Sequence, residues 1–223
     1  IINSQRAGPS TGLPTRAEQS DLMQAVHGRH GEAPLVVLAP KSPSHCFHIA
    51  QKAIHIAIKY MTPVMILSDA YLTNASEPWL IPDISGIKES PVEMTNLRAD
   101  KIRNIQNDFE KIEIIGPDKG DLLVIGWGST NGPISEAQEL LSNQGYAISH
   151  TQISCLWPIS HNLKNIASKF KEVLVVEMND GQLFNLLKVE TMPNAKSLTQ
   201  VSGKPFRVSY LLDKFKETIE VRN

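Results

Sequence analysis

The sequence predicts an α/β protein made of two successive parallel-sheet units, the second a small doubly wound one. Three observations predict it. Short continuous apolar runs recur at Pro34–Pro40 (PLVVLAP), Thr62–Asp69 (TPVMILSD), Asp121–Gly128 (DLLVIGWG) and Glu172–Met178 (EVLVVEM), as expected of strands buried on both faces. Segments of helical period stand between them on short links, which requires crossover connections and therefore parallel pairing. Between the two sets lies Asn74–Asn96, which has three prolines and no period and reads as an irregular linker or partner-binding arm.

Taken in order, Ile1-Ile2-Asn3 is expected to be the tail of a buried strand already under way, and the chain part of a longer protein. A Gly/Pro loop, Gln5–Thr15, follows, then a helix over Arg16–His27 with Leu22 and Val26 stacked four apart. After the strand Pro34–Pro40, the residues Phe47, Ala50, Ile54, Ala57 and Ile58 recur at helical spacing over Ser44–Met61, and the next strand is Thr62–Asp69. A helix over Leu97–Phe109 follows the linker. The second half then alternates: strand Asp121–Gly128, helix Pro133–Gln144, strand Gly145–Ile153, helix His161–Phe170, strand Glu172–Met178, helix Gly181–Glu190, a short strand near Ser197–Val201 and helix Val208–Ile219.

Composition narrows the function. At 223 residues, 41% hydrophobic and 20% charged, the chain can bury one large core or two small ones. A net charge of -1 offers no long-range attraction for nucleic acid or anionic lipid, and no apolar run approaches a membrane span. Cys46 and Cys155 are too few for a four-cysteine cluster or a disulfide framework, which suits a reducing cytoplasm.

The loop QRAGPSTGLPT admits three roles. Gly8, Pro9, Gly12 and Pro14 are punctuation. Thr15 and Glu18 spell a capping box. Arg6 carries a flat, permanently charged fork that grips a carboxylate or phosphate, set beside a helix N-terminus that also favours anions. Gly8–Gly12 also fits G-x-S-x-G, with Ser10 as nucleophile and Asp69 and His150 in the right order, but no strand enters Ser10 and Pro14 delays the helix. GWGSTNG, Gly126–Gly132, stands where a dinucleotide fingerprint stands, yet with G-x-G-x-x-x-G spacing and no acidic residue at the end of the next strand, so a tight strand-to-helix turn competes with nucleotide binding. His45, His48 and His55 share a helix face without a carboxylate in register, which favours exposed histidines over a metal site.

At QRAGPSTGLPTRAEQSDL, HGRHGEAPLVVLAP, ILSDAYLTNASEPW, DLLVIGWGST and VLVVEMNDGQL the chain resembles the alpha subunit of 2-oxoacid:ferredoxin oxidoreductases, the 2-oxoglutarate type above others. The resemblance implies the end of a thiamine pyrimidine-binding domain at residues 1–75, a linker or arm with one helix at 76–119, and a smaller transketolase-C-like domain at 120–223. It implies conversion of a 2-oxoacid and coenzyme A to acyl-CoA and carbon dioxide, with electrons passed to ferredoxin. Thiamine diphosphate with magnesium would be shared, its diphosphate held by a beta subunit that also carries the iron–sulfur cluster, in an assembly of two alpha and two beta chains. Arg6 would bind the substrate carboxylate and Thr15 would contact the 2-oxoacid, ahead of Ser10 and Thr11. The catalytic glutamate and an upstream threonine motif fall outside this chain, the residue for a distal carboxylate is not identified, and the passage at Asn96-Leu97 is shorter than the family leads one to expect.

Overall fold

The computed structural model describes residues 1–6, 17–28, 35–82, 112–160, 162–190 and 192–220. Two four-stranded sheets form the frame. In the first, β1 (Ile2–Gln5), β3 (Val64–Asp69) and β2 (Val36–Leu38) are parallel, in the order β1-β3-β2. The second contains β4 (Gly120–Gly126), β5 (Ile148–Gln152), β7 (Phe170–Glu177) and β8 (Lys196–Thr199), all parallel, in the order β5-β4-β7-β8. The helices are α1 (Leu22–His27), α2 (His45–Tyr60), α3 (Ala70–Asn74), α4 (Asn131–Asn143), α5 (Asn162–Ala167), α6 (Gln182–Glu190) and α7 (Val208–Glu220). The predicted α/β class with parallel sheets is thus what the chain adopts.

The strands follow from burial. β2 is buried throughout, and β4 and β7 are buried over their last residues, so no period-2 alternation was available and continuous runs marked them instead. A third cluster of apolar side chains, Ile49, Ala53 and Ile56 of α2 with Val36, Leu38 and Ile66, covers one face of the first sheet. α4 and α7 cover one face of the second through Ile134, Leu141, Leu211 and Phe215. The largest cluster joins the halves: Leu22, Val37 and Leu67 pack with Leu123, Ile125, Trp127, Leu163 and Leu183.

Several expectations are corrected. Ile2 is 74% exposed rather than buried, in a strand that among the described residues pairs only with β3. α1 starts at Leu22 rather than Arg16, since Gln19 and Asp21 spend their backbone N–H groups on Met178 O and Gln5 Oε1 instead of on a helical turn. α2 turns Ile49, Ala53 and Ile56 inward and leaves Ile54 61% exposed, so the stripe read through Phe47, Ala50 and Ile54 is one place off. Phe170 opens β7 instead of closing α5. β6 (Cys155–Trp157) has no counterpart in the sequence pattern: it leaves the second half to pair antiparallel with β2, completing the first sheet. The helix expected over Leu97–Phe109, and the passage at Asn96-Leu97, lie outside the described residues. Among those described, no helix is long and apolar enough to cross a membrane.

Candidate functional site

The parallel strands deliver their chemistry at their C-terminal ends, where open α/β sheets bind ligands. Arg6 follows β1 there and is exposed. Thr15, Ser10 and Thr11 lie outside the described residues, as does the Thr15 capping box. The flanks of that loop are held together. Asp21 N–H donates to Gln5 Oε1 at 3.0 Å, Asn3 Nδ2 donates to Asp21 Oδ2 at 2.9 Å, and Ser20 Oγ donates its one proton to Asp21 Oδ1 at 2.9 Å while lying 3.4 Å from Arg6 O. A chain whose two ends are joined this way presents Arg6 from a fixed base.

The C-terminal ends of the two sheets face each other, and buried polar side chains pin them. Gln19, fully buried, uses every group it has: its N–H donates to Met178 O and its Oε1 accepts from Met178 N, both at 2.9 Å. Its Nε2 donates to Trp127 O at 2.8 Å, and its carbonyl accepts from Asn179 Nδ2 at 3.0 Å. Asp69 ends β3. Its Oδ1 accepts from Tyr71 N and Leu72 N, capping α3, and its Oδ2 accepts from Ser129 N at 3.2 Å, beyond β4. Glu177 ends β7, and with Asn179 it satisfies the backbone donors at the start of α6: Gly181 and Gln182 on Asn179 Oδ1, Leu183 and Phe184 on the Glu177 carboxylate. Burial pushes the Glu177 carboxyl up, while the N–H groups of Phe184 and Leu183, the Asn179 side chain and the Trp127 indole pull it back down.

These contacts decide what Gly126–Gly132 does. A Cβ on Gly126 would stand 2.5 Å from Ile134 Cδ1 and 2.7 Å from Thr130 Oγ1, and one on Gly128 would stand 2.5 Å from Gln19 Nε2. The space beside Gly126 and Gly128 is filled, and the Ser129 N–H that would bind a diphosphate already serves a carboxylate. This segment is a strand-to-helix turn that docks one sheet on the other. Gly128 has φ +58°, so Gly128→Ala is expected to lower stability by about 2 kcal/mol, from left-handed strain plus displacement of the Gln19 amide. Urea unfolding of the two proteins checks this; a change under about 0.5 kcal/mol would contradict the packing described.

Two further candidates separate. Asp69 and His150 do not form a relay: the Asp69 oxygens serve backbone N–H groups, and neither His150 nitrogen has a hydrogen-bond partner among the described residues, which removes the base that a Ser10 hydrolase requires. His48 and His55 are exposed, His45 is half-buried with Nδ1 accepting from Lys41 N at 3.1 Å, and among the described residues no three His, Cys, Asp or Glu side chains could hold a metal. Cys46 is half-buried, and burial followed by the Asp69 and Glu77 charges raises its thiol, the opposite of an activated nucleophile.

Two docked α/β halves, each built on a sheet of mainly parallel strands, define the architecture. Transketolase from Campylobacter jejuni has this fold: TM-score 0.58 at 14% identity, covering 97% of this chain and 31% of that one. More specifically, the family model described as "Pyruvate flavodoxin/ferredoxin oxidoreductase, thiamine diP-bdg" matches residues 1–120, and the chain belongs to that family. It is similar to the 2-oxoglutarate oxidoreductase subunit KorA of Mycobacterium tuberculosis, 35% identical over 96% of this chain and 40% of the relative. It is also similar to the 2-oxoglutarate synthase subunit KorA of Methanothermobacter marburgensis, 27% identical over 96% of this chain and 72% of the relative. A solved 2-oxoglutarate:ferredoxin oxidoreductase from Magnetococcus marinus, with 2-oxoglutarate, coenzyme A and succinyl-CoA bound, matches with TM-score 0.84 and 26% identity, over 98% of this chain and 48% of that one. The chain therefore spans less than half the length of two of these three relatives. The Mycobacterium alignment runs over 269 positions against a chain of 223, so that relative carries residues within the aligned span that this chain lacks.

Proposed function

We propose that this chain supplies the substrate grip of a thiamine diphosphate-dependent 2-oxoacid oxidoreductase, with 2-oxoglutarate as the acid, forming acyl-CoA and carbon dioxide and passing electrons to ferredoxin. Residues 1–75 are the end of its pyrimidine-binding domain, 76–119 the arm, and 120–223 the transketolase-C-like domain. The observation that carries this is Arg6: an exposed guanidinium placed directly after β1, at the ligand-binding end of a parallel sheet, on a base closed by Asp21 and Ser20. A 2-oxoacid is an anion whose 2-carbonyl must be met from one direction, and a bidentate fork sets that direction. Thr15, Ser10 and Thr11 belong to the same loop and complete the contact.

The donors described here do not fit the diphosphate and its magnesium. Among the described residues no three His, Cys, Asp or Glu side chains could hold a metal, and Gln19 and Asp69 fill the turn at Gly128. In this proposal a beta subunit holds both, together with an iron–sulfur cluster, and two alpha and two beta chains form the cytoplasmic enzyme. This chain's own part is to bind and orient the acid.

Arg6→Lys in the assembled enzyme tests the proposal. Losing the bidentate geometry is expected to raise the apparent KM for the 2-oxoacid by about 2 kcal/mol, some thirtyfold, while the KM for coenzyme A stays put. Unaltered 2-oxoacid kinetics would remove Arg6 from the site.

A further inference from the structure

We infer that Gln182, at the start of α6 in the second half, is a positioning residue for the Arg6 grip, acting through Ser20 and Asp21. The inference rests on the substrate role of Arg6 proposed above. Gln182 is half-buried and spends both ends of its amide on one short stretch of the first half: Nε2 donates to Ser20 O at 2.7 Å, and Oε1 accepts from Met23 N at 2.8 Å. Those two bonds bracket Asp21, whose N–H fixes Gln5 and whose carboxylate fixes Asn3 and Ser20. Ser20 Oγ in turn lies 3.4 Å from the carbonyl of Arg6. The path from Gln182 to Arg6 therefore runs from Ser20 to Asp21, across the Asp21 N–H to Gln5 and along the backbone to Arg6, the single Ser20 hydroxyl proton going to Asp21 Oδ1.

Gln182 is itself held in place. Its N–H donates to Asn179 Oδ1 at 3.0 Å, and Asn179 Nδ2 reaches back to Gln19 O at 3.0 Å, so the amide is carried by the capped start of α6 rather than by a loose surface turn. The neighbouring contacts, Gln19 to Met178 and Trp127, lie deep in the core and hold the two halves together. Gln182 lies at the rim, where a lost bond loosens Ser20 and Asp21 while Leu22 stays seated in the core. An amide suits this position, because it alone among side chains of this length donates to a carbonyl and accepts from an N–H at one tip. The second half thereby contributes to substrate geometry without touching substrate.

Two variants test this in the assembled enzyme. Gln182→Met keeps length and removes both bonds; Gln182→Glu keeps the acceptor for Met23 N and sets an oxygen against Ser20 O. Both are expected to raise the KM for the 2-oxoacid roughly three- to tenfold, the effect of one or two modest hydrogen bonds, with kcat and the KM for coenzyme A within about twofold. In an Arg6→Lys background either change should add less than about twofold, because residues on one path do not add. Hydrogen exchange at Gln19–Met23 should quicken in both variants while the interior of α6 exchanges as before. Faster exchange with wild-type 2-oxoacid KM, or effects that multiply with Arg6→Lys, would overturn the role of Gln182 and leave Arg6 in place. Wild-type kinetics in Arg6→Lys alone would sink the substrate reading and this inference with it.

Discussion

Glu177→Ala is expected to lower the unfolding free energy of the chain by about 4 kcal/mol, and Glu177→Gln by about half as much. The carboxylate is buried and accepts from Leu183 N at 2.8 Å, Phe184 N at 2.8 Å and Trp127 Nε1 at 3.3 Å. Alanine leaves all three donors in the core without an acceptor, at roughly 1 to 3 kcal/mol each before relaxation. Glutamine keeps one oxygen but turns an amide NH2 toward a backbone N–H. The damage should not stay local, because Trp127 O anchors Gln19 and Asn179 anchors both α6 and Gln19. Urea unfolding followed by tryptophan fluorescence reads the loss. A Glu177→Ala protein within about 1 kcal/mol of wild type would mean that water or a shifted side chain replaces the carboxylate, and the three bonds described would not brace the second half.

Glu177 also illustrates how far local pattern carries. Continuous apolar runs located β2, β3, β4 and β7 because strands covered on both faces need no polar residue. β6 escaped because three residues between turns, Cys155–Trp157, carry no period, and their pairing is with β2, more than a hundred residues earlier. α2 was located but its face was not: Phe47, Ala50 and Ile54 share a helical spacing just as Ile49, Ala53 and Ile56 do, and only the sheet beneath decides between them. Among the candidate residues, Arg6 stood out because its charge is unlike its Gly/Pro surroundings, and it lies exposed just after β1. Gln19 did not stand out, since a glutamine that satisfies four groups across the core reads locally as one more polar residue. Asp69 before AYLTN did carry a signal, that of a helix N-cap, and the structure places it there with a second bond to Ser129.

Acid should destabilise the chain through His150. This residue lies in β5, fully buried, with neither ring nitrogen partnered among the described residues, and burial, with a smaller push from Lys41, lowers it to about 4. A histidine ordinarily titrates near 6.5, so between these two values the unfolded chain binds a proton that the folded chain refuses. Stability is then fully present above about pH 6.5 and is lost as pH falls toward 4, by about 2.5 kcal/mol at about pH 4.5. His150→Leu removes the titrating group and, with it, two buried polar atoms that have no partner among the described residues. The variant should match or exceed wild-type stability at about pH 7.5, since replacing unsatisfied polar atoms with an apolar group of similar size is neutral or favourable. At about pH 4.5 it should be more stable than wild type by about 2.5 kcal/mol beyond any difference at neutral pH. Taking the difference between the two proteins cancels Glu177, whose raised carboxyl acts in the opposite direction with pH in both. Parallel urea midpoints for the two proteins from about pH 7.5 to about pH 4.5 would show that His150 is protonated or solvated in the folded chain, contrary to its position in β5.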